Sequence, residues 1–149
     1  MVIVACSRPD IHFTDGTNAR MDDYQGRWVV INYWAEWCVP CLEEVPELNK
    51  FQEQMNETVV LLSISYDKIS NEAMLEQQKK YGIEYPVIAA MPAPRLDIPM
   101  PAALPANYLV APDGQRFGPI LGPQDALSLA ELVKEYEQKW LAGKAIPKE

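Results

Sequence analysis

At 149 residues the chain has room for one domain with a sizeable core, and its 48% apolar content is ordinary for a globular protein. A net charge of −8 argues against binding nucleic acid or an anionic membrane surface through charge, and no apolar run is long enough to span a bilayer. Three cysteines are too few for a disulfide scaffold, so cysteine count leaves the compartment open.

The chain divides into an N-terminal tail or linker at 1–10, a domain at 11–143 and a C-terminal tail at 144–149. In the first tail, Ile3-Val4-Ala5-Cys6 resembles a bacterial lipobox, in which Cys6 would carry lipid. Only five residues precede it and none is basic, so either a signal was trimmed or the segment is a short apolar tail. Ile11-His12-Phe13 and Asn18-Ala19-Arg20-Met21 flank Asp15-Gly16 as a small hairpin. Asp22 to Gly26 reads as a turn. Trp28 to Trp34 is nearly all apolar and β-branched or aromatic, which suits a buried central strand.

A helix is expected from about Val39 to Asn56, with Cys41, Val45, Leu48 and Met55 on one face and a kink at Pro46. Thr58 to Tyr66 is a second buried strand. Ser70 or Asn71 caps a helix that runs to Tyr81 and stops at Gly82. Tyr85 to Ala90 is a third strand. Met91 to Leu104 cannot hold a regular helix, because five prolines fall between Pro92 and Pro105. Asn107 to Ala111 and Gln115 to Leu121 flank the hairpin turn Pro112-Asp113-Gly114. A last helix spans about Gln124 to Leu141, with Leu129, Leu132, Val133, Tyr136 and Trp140 as its inner stripe and Gly143 at its end. Strands alternating with helices imply a mixed central sheet in an α/β sandwich.

The chemistry sits in Trp34-Ala35-Glu36-Trp37-Cys38-Val39-Pro40-Cys41, at the junction of the first main strand and the helix after it. There Cys38 meets the free N–H groups and positive end of a helix, which favours the reactive thiolate. Two sulfurs at this spacing can close and reopen a disulfide. The competing reading is a static disulfide or half a zinc site. Zinc needs two more ligands, and only His12 and Cys6 are at hand, so no metal site is expected.

This order of elements, with Trp-Cys-x-x-Cys after the first buried strand, resembles the thioredoxin fold. Within it the chain is similar to the TlpA/ResA-like thiol–disulfide oxidoreductases, with an inserted βα unit. The markers are Val30 to Cys41 with Glu44 and Pro46, then Tyr81-Gly82-Ile83-Glu84-Tyr85-Pro86-Val87, Leu104-Pro105, and the Pro112–Gly114 turn. The resemblance implies that Cys38 attacks, that more buried Cys41 resolves, and that Pro105 is cis beside the sulfurs. It places Glu44 near the second sulfur as a proton acceptor, replacing the acid that cytosolic thioredoxins carry at the position of Asn32, which cannot move protons. Trp37, Val39, Pro40 and Leu104 would touch substrate. Glu36 and Glu43 read as solvated partners of the helix dipole.

The resemblance implies further that the only redox group is the Cys38–Cys41 pair, with no other cofactor. Protein disulfides, cytochrome c maturation clients among them, would be the substrates, and a membrane-bound thiol would donate electrons. The setting would be the periplasm or outer face of a bacterial inner membrane, with a lipid anchor if Cys6 is modified and a cytoplasmic setting not excluded. A monomer is expected. An oxidase or isomerase, and a redox-inert or metal-binding module, are the competing functions. The family's usual helix before the proline is replaced here by the Met91–Leu104 loop, expected to wall the substrate groove with Leu96, Ile98 and Met100.

Overall fold

The computed structural model describes residues 7–145, so Cys6 and the lipobox reading lie outside the described residues. Two short strands, β1 (Ile11–His12) and β2 (Asn18–Ala19), pair antiparallel as the expected hairpin. A single 3-10 turn, Met21–Tyr24, leads to β3 (Trp28–Trp34), whose seven residues are all buried. Helix α1 (Val39–Met55), β4 (Val59–Ser65), α2 (Asn71–Tyr81), β5 (Val87–Ile88), β6 (Ala106–Val110), β7 (Arg116–Leu121) and α3 (Ala126–Ala145) follow. The main sheet has the order β5-β4-β3-β6-β7; β3, β4 and β5 are parallel, and β6 and β7 run antiparallel. This is the mixed α/β architecture of the thioredoxin fold with an inserted α2–β5 unit.

Local signals explain several boundaries. Ser70 Oγ accepts the Ala73 N–H at 3.2 Å and starts α2, and Gly82 ends it in the left-handed region at φ 66°. Ala111 and Gln115 close the β6–β7 turn, with Gly114 at φ 88°. Gly118 has φ 116°, and a Cβ there would stand 2.9 Å from the Asn107 carbonyl oxygen, so only glycine fits beside β6. Strand β5 is shorter than Tyr85–Ala90, and the N-terminal segment bonds along its free edge. Thr14 N–H donates to the Val87 carbonyl at 3.0 Å and Ala89 N–H to the His12 carbonyl at 2.8 Å.

Two further boundaries differ from expectation. Helix α3 passes through Gly143 to Ala145, because an isolated glycine costs only about 1 kcal/mol in a helix. The ordered unit also begins before residue 11. The Arg95 guanidinium donates to the Arg8 and Pro9 carbonyls and to Asp10 Oδ1, tying residues 8–10 to the proline-rich segment.

The two faces of the sheet are covered differently. Trp28, Val30 and Trp34 of β3 pack with Val45, Leu48 and Phe51 of α1, Met74 of α2, and Leu129 and Val133 of α3. The opposite face is Val29, Ile31, Tyr33, Leu62, Ile64, Tyr108 and Val110, and among the described residues no α-helix contributes a buried residue to it. Ile11, Leu96 and the half-buried Phe13, Met21, Tyr24 and Ile98 cover it instead. The loop is fastened there: the Tyr108 hydroxyl donates to the Pro99 carbonyl at 2.8 Å, and Arg116 Nε to the Leu96 carbonyl at 2.6 Å.

This corrects the reading of Leu96 as a groove residue. It is 4% exposed and lies in the core, whereas Met100 is 50% exposed. The apolar side chain replaces the packing that a helix would supply. Leu96→Ser should therefore cost about 2–4 kcal/mol of stability, measured as a lower urea midpoint at unchanged slope. A midpoint equal to wild type would return Leu96 to the surface.

Candidate active site

Strand β3 ends at Trp34 and the chain turns through Ala35–Trp37 into α1, so Cys38 becomes the helix N-cap. Pro40 fits the first turn because a proline there forfeits no helical hydrogen bond. The Cys41 N–H points at Cys38 Sγ from 3.3 Å. Such a donor, with the positive helix end, stabilises a thiolate at Cys38 when the pair is reduced. In this structure Cys38 and Cys41 are joined as a disulfide with Cα atoms 5.3 Å apart.

Cys38 is less exposed than its position at the helix start suggests. It retains 5% exposure against 1% for Cys41, because the sulfur folds back under its own turn. The order of accessibility still favours Cys38. Exposure is carried by its neighbours: Trp37 at 63%, Val39 at 62%, and Pro40. Trp37 is held in place, with its indole N–H shared by the two Asp67 carboxylate oxygens at 3.0 and 3.2 Å. The Tyr66 ring meets the indole edge-on at 6.1 Å. Tyr66 also lines a cavity of about 210 Å³ with Tyr33, Ile64, Lys68, Ala93 and Met100. Tyr66 and Asp67 are site residues that no motif pointed to.

Leu104–Pro105 is a cis bond. Its place follows from register: Ala106 pairs with Tyr33, so Pro105 lies at the end of β6 beside the end of β3 that feeds Cys38. Pro105 is buried, its carbonyl accepting the Gly122 N–H at 2.9 Å. Leu104 is half-buried and packs on both core clusters.

Glu44 lies one turn beyond Cys41 and is only 3% exposed. Its Oε1 accepts from Asn32 Nδ2 at 2.7 Å and its Oε2 from the Gln124 N–H at 2.9 Å. Burial pushes its carboxyl up to about 7, against the pull of these two donors. Tyr85 faces it, and burial together with the Glu44 charge raises that phenol further from ionisation. Glu47, on the next turn, accepts the Ala126 N–H at 3.0 Å, so two α1 carboxylates receive the start of α3.

Glu43 is exposed, as read from the sequence, but Glu36 is not a free helix-dipole partner. Gln77, Lys80 and Tyr81 of α2 donate to it at 2.9, 3.0 and 2.8 Å. The Lys80 and Tyr81 hydrogen bonds hold its carboxyl below the usual range. The inserted helix thus grips the turn before Cys38 and offsets its nearest negative charge. Among the described residues no cluster of His, Cys, Asp and Glu could hold a metal ion.

Two buried amides complete the site. Asn32 and Asn107 are direct cross-strand partners, 1% and 0% exposed. Asn107 has the same signature as Asn32, a lone amide inside an apolar strand, and could have been noticed on that ground.

The sequence model of the AhpC/TSA family matches residues 5–115. The chain is 27% identical over 119 residues to the thiol-disulfide oxidoreductase ResA of Geobacillus kaustophilus, covering 76% of this chain and 67% of that protein. It is 28% identical over 103 residues to ResA of Bacillus subtilis, covering 68% of this chain and 57% of that one. The match thus spans a little over half to two thirds of those proteins. In structure it is similar to the exposed lipoprotein thioredoxin of Streptococcus pneumoniae, with a TM-score of 0.69 at 22% identity, over 84% of this chain and 96% of that one. With Cys38 and Cys41 at the head of α1 on this sheet, the chain belongs to the AhpC/TSA family and is similar to the ResA thiol-disulfide oxidoreductases.

Proposed function

We propose that the protein reduces disulfides in extracytoplasmic client proteins through a Cys38/Cys41 dithiol. The observation that supports this best is the Cys38–Cys41 pair at the N-cap of α1, one turn from a buried carboxylate poised near neutrality. Cys38 thiolate attacks one client sulfur, forming a Cys38–client bond while the other client sulfur leaves and takes a proton. Glu44 then accepts the Cys41 proton, and the Cys41 thiolate attacks Cys38 Sγ. The Cys38–client bond breaks, the second client thiol is released, and both electrons have passed from the dithiol to the client. A membrane-bound thiol donor returns the disulfide to the dithiol.

Trp37, Val39, Pro40 and Leu104 border the client's path, and Pro105 lends it backbone. Cytochrome c maturation clients are the substrate class proposed. The setting proposed is the periplasm or outer face of a bacterial inner membrane. One structural relative is by name an exposed lipoprotein, which supports this reading. No helix among the described residues is long and apolar enough to cross a membrane. A monomer acting alone suffices for these steps.

Redox titration tests the direction. The Cys38–Cys41 couple should be reversible with a potential of roughly −200 to −300 mV, on the reducing side of disulfide isomerases. A value near −120 mV, that of a strong oxidant, would assign the oxidase reading instead.

A further inference from the structure

Asn32 and Asn107 form an unusual pair. They lie opposite each other on the two central antiparallel strands, among residues that are otherwise apolar. Buried amides are costly unless their hydrogen bonds are made. Asn32 Nδ2 makes both of its bonds, to Glu44 Oε1 at 2.7 Å and to Asn107 Oδ1 at 3.0 Å. Asn107 Nδ2 makes none, although the residue is fully buried. Asn107 is thus turned to offer its oxygen to Asn32 at the expense of its own N–H groups.

That orientation has a consequence for Glu44. An Asn side chain can present either its oxygen or its nitrogen to a neighbour. With Asn107 Oδ1 accepting one Asn32 N–H, the amide nitrogen of Asn32 must face inward, and its second N–H meets the carboxylate. Reversed, Asn32 would set an oxygen against the carboxylate, which suits only its protonated form. We propose that Asn107 is a positioning residue for the reaction, aiming the Asn32 amide so that Glu44 can hold a negative charge and receive the Cys41 proton. This rests on the reading of Glu44 as the proton acceptor.

The groups around Glu44 limit what else could set its charge. The disulfide lies one turn back on α1 and Glu47 one turn ahead. Tyr85 faces it as a neutral phenol, and Gln124 offers only a backbone N–H. Among the described residues no cationic side chain bonds to Glu44, so the aimed amide and the Gln124 N–H are the donors that favour its charge.

The test uses Asn107→Leu and Asn107→Val, two apolar replacements of different size, with Glu44→Gln as reference. Glu44 is titrated in the oxidised protein by its carboxyl infrared band, assigned as the band absent from Glu44→Gln. Both Asn107 variants should move that titration upward by about one pH unit, the effect of losing one hydrogen bond to a charged group. The pH–rate profile for release of a mixed disulfide should move by the same amount, with its plateau at high pH retained. An unmoved infrared titration in either folded variant overturns the positioning role, whatever the rates do. A Glu44→Gln protein whose pH–rate profile equals wild type would instead remove Glu44 as proton acceptor, a separate failure. A purely structural role for Asn107 would lower stability and leave both midpoints in place.

Discussion

A Cys38→Ser protein should lose disulfide reduction altogether, whereas Cys41→Ser should accumulate covalent complexes with its clients. The asymmetry follows from the N-cap. Cys38 receives the Cys41 N–H and the positive helix end, and keeps 5% exposure where Cys41 keeps 1%. Removing Cys38 takes away the thiolate that opens the client disulfide. Removing Cys41 leaves the first step intact and stops the second. Attack by a neighbouring group has an effective molarity on the order of 10⁵ M or more, which an external thiol cannot match. Mixed disulfides should therefore persist on non-reducing gels and be identified by mass. If Cys38→Ser captures clients and Cys41→Ser captures none, the two roles are reversed.

The second large effect is on stability against pH. Glu44 is raised from its ordinary 4.5 to about 7, chiefly by burial, so the folded protein binds that proton more tightly than the unfolded chain. The resulting stability is fully present below about pH 4.5 and is lost as pH rises through about 7. Across that window wild type should lose about 3 kcal/mol relative to Glu44→Gln, which has no such proton. The comparison isolates Glu44 because every other titrating group is common to both proteins. Urea unfolding of the two oxidised proteins at pH 5 and pH 8 reads the difference. A stability gap that is the same at both pH values would mean that Glu44 ionises as an ordinary carboxylate. The expected loss is the cost of keeping a proton acceptor in a dry site, where a surface glutamate would fold more stably but ionise too readily to take a thiol's proton at neutral pH.

Elements with local causes were legible from the chain itself. The run Trp28–Trp34, the cap Ser70, the stop at Gly82 and the turn Pro112–Gly114 each act over a few residues, and each boundary lies where its chemistry puts it. The Cys38–Cys41 pair at a strand-to-helix junction is local in the same sense. Glycine at 143 misled because its helix penalty is small beside the packing of α3.

What pairs with what across the fold was not legible. Leu96 is a core residue because the sheet's second face needs cover and, among the described residues, no helix comes to it. Glu36 is bound because α2 docks beside it, a contact between residues more than forty apart in sequence. Asn107 bonds to Asn32 only through the register of β3 against β6, since a slip of one residue would turn that amide to the other face. The sequence by itself thus determined the order of elements, the redox pair and the helix start that activates it, because these rest on turn chemistry, caps and apolar runs. Only the tertiary structure decided the proton affinity of Glu44 and the partners of Glu36 and Asn32, because burial and hydrogen bonding between distant segments exist only once the sheet is assembled.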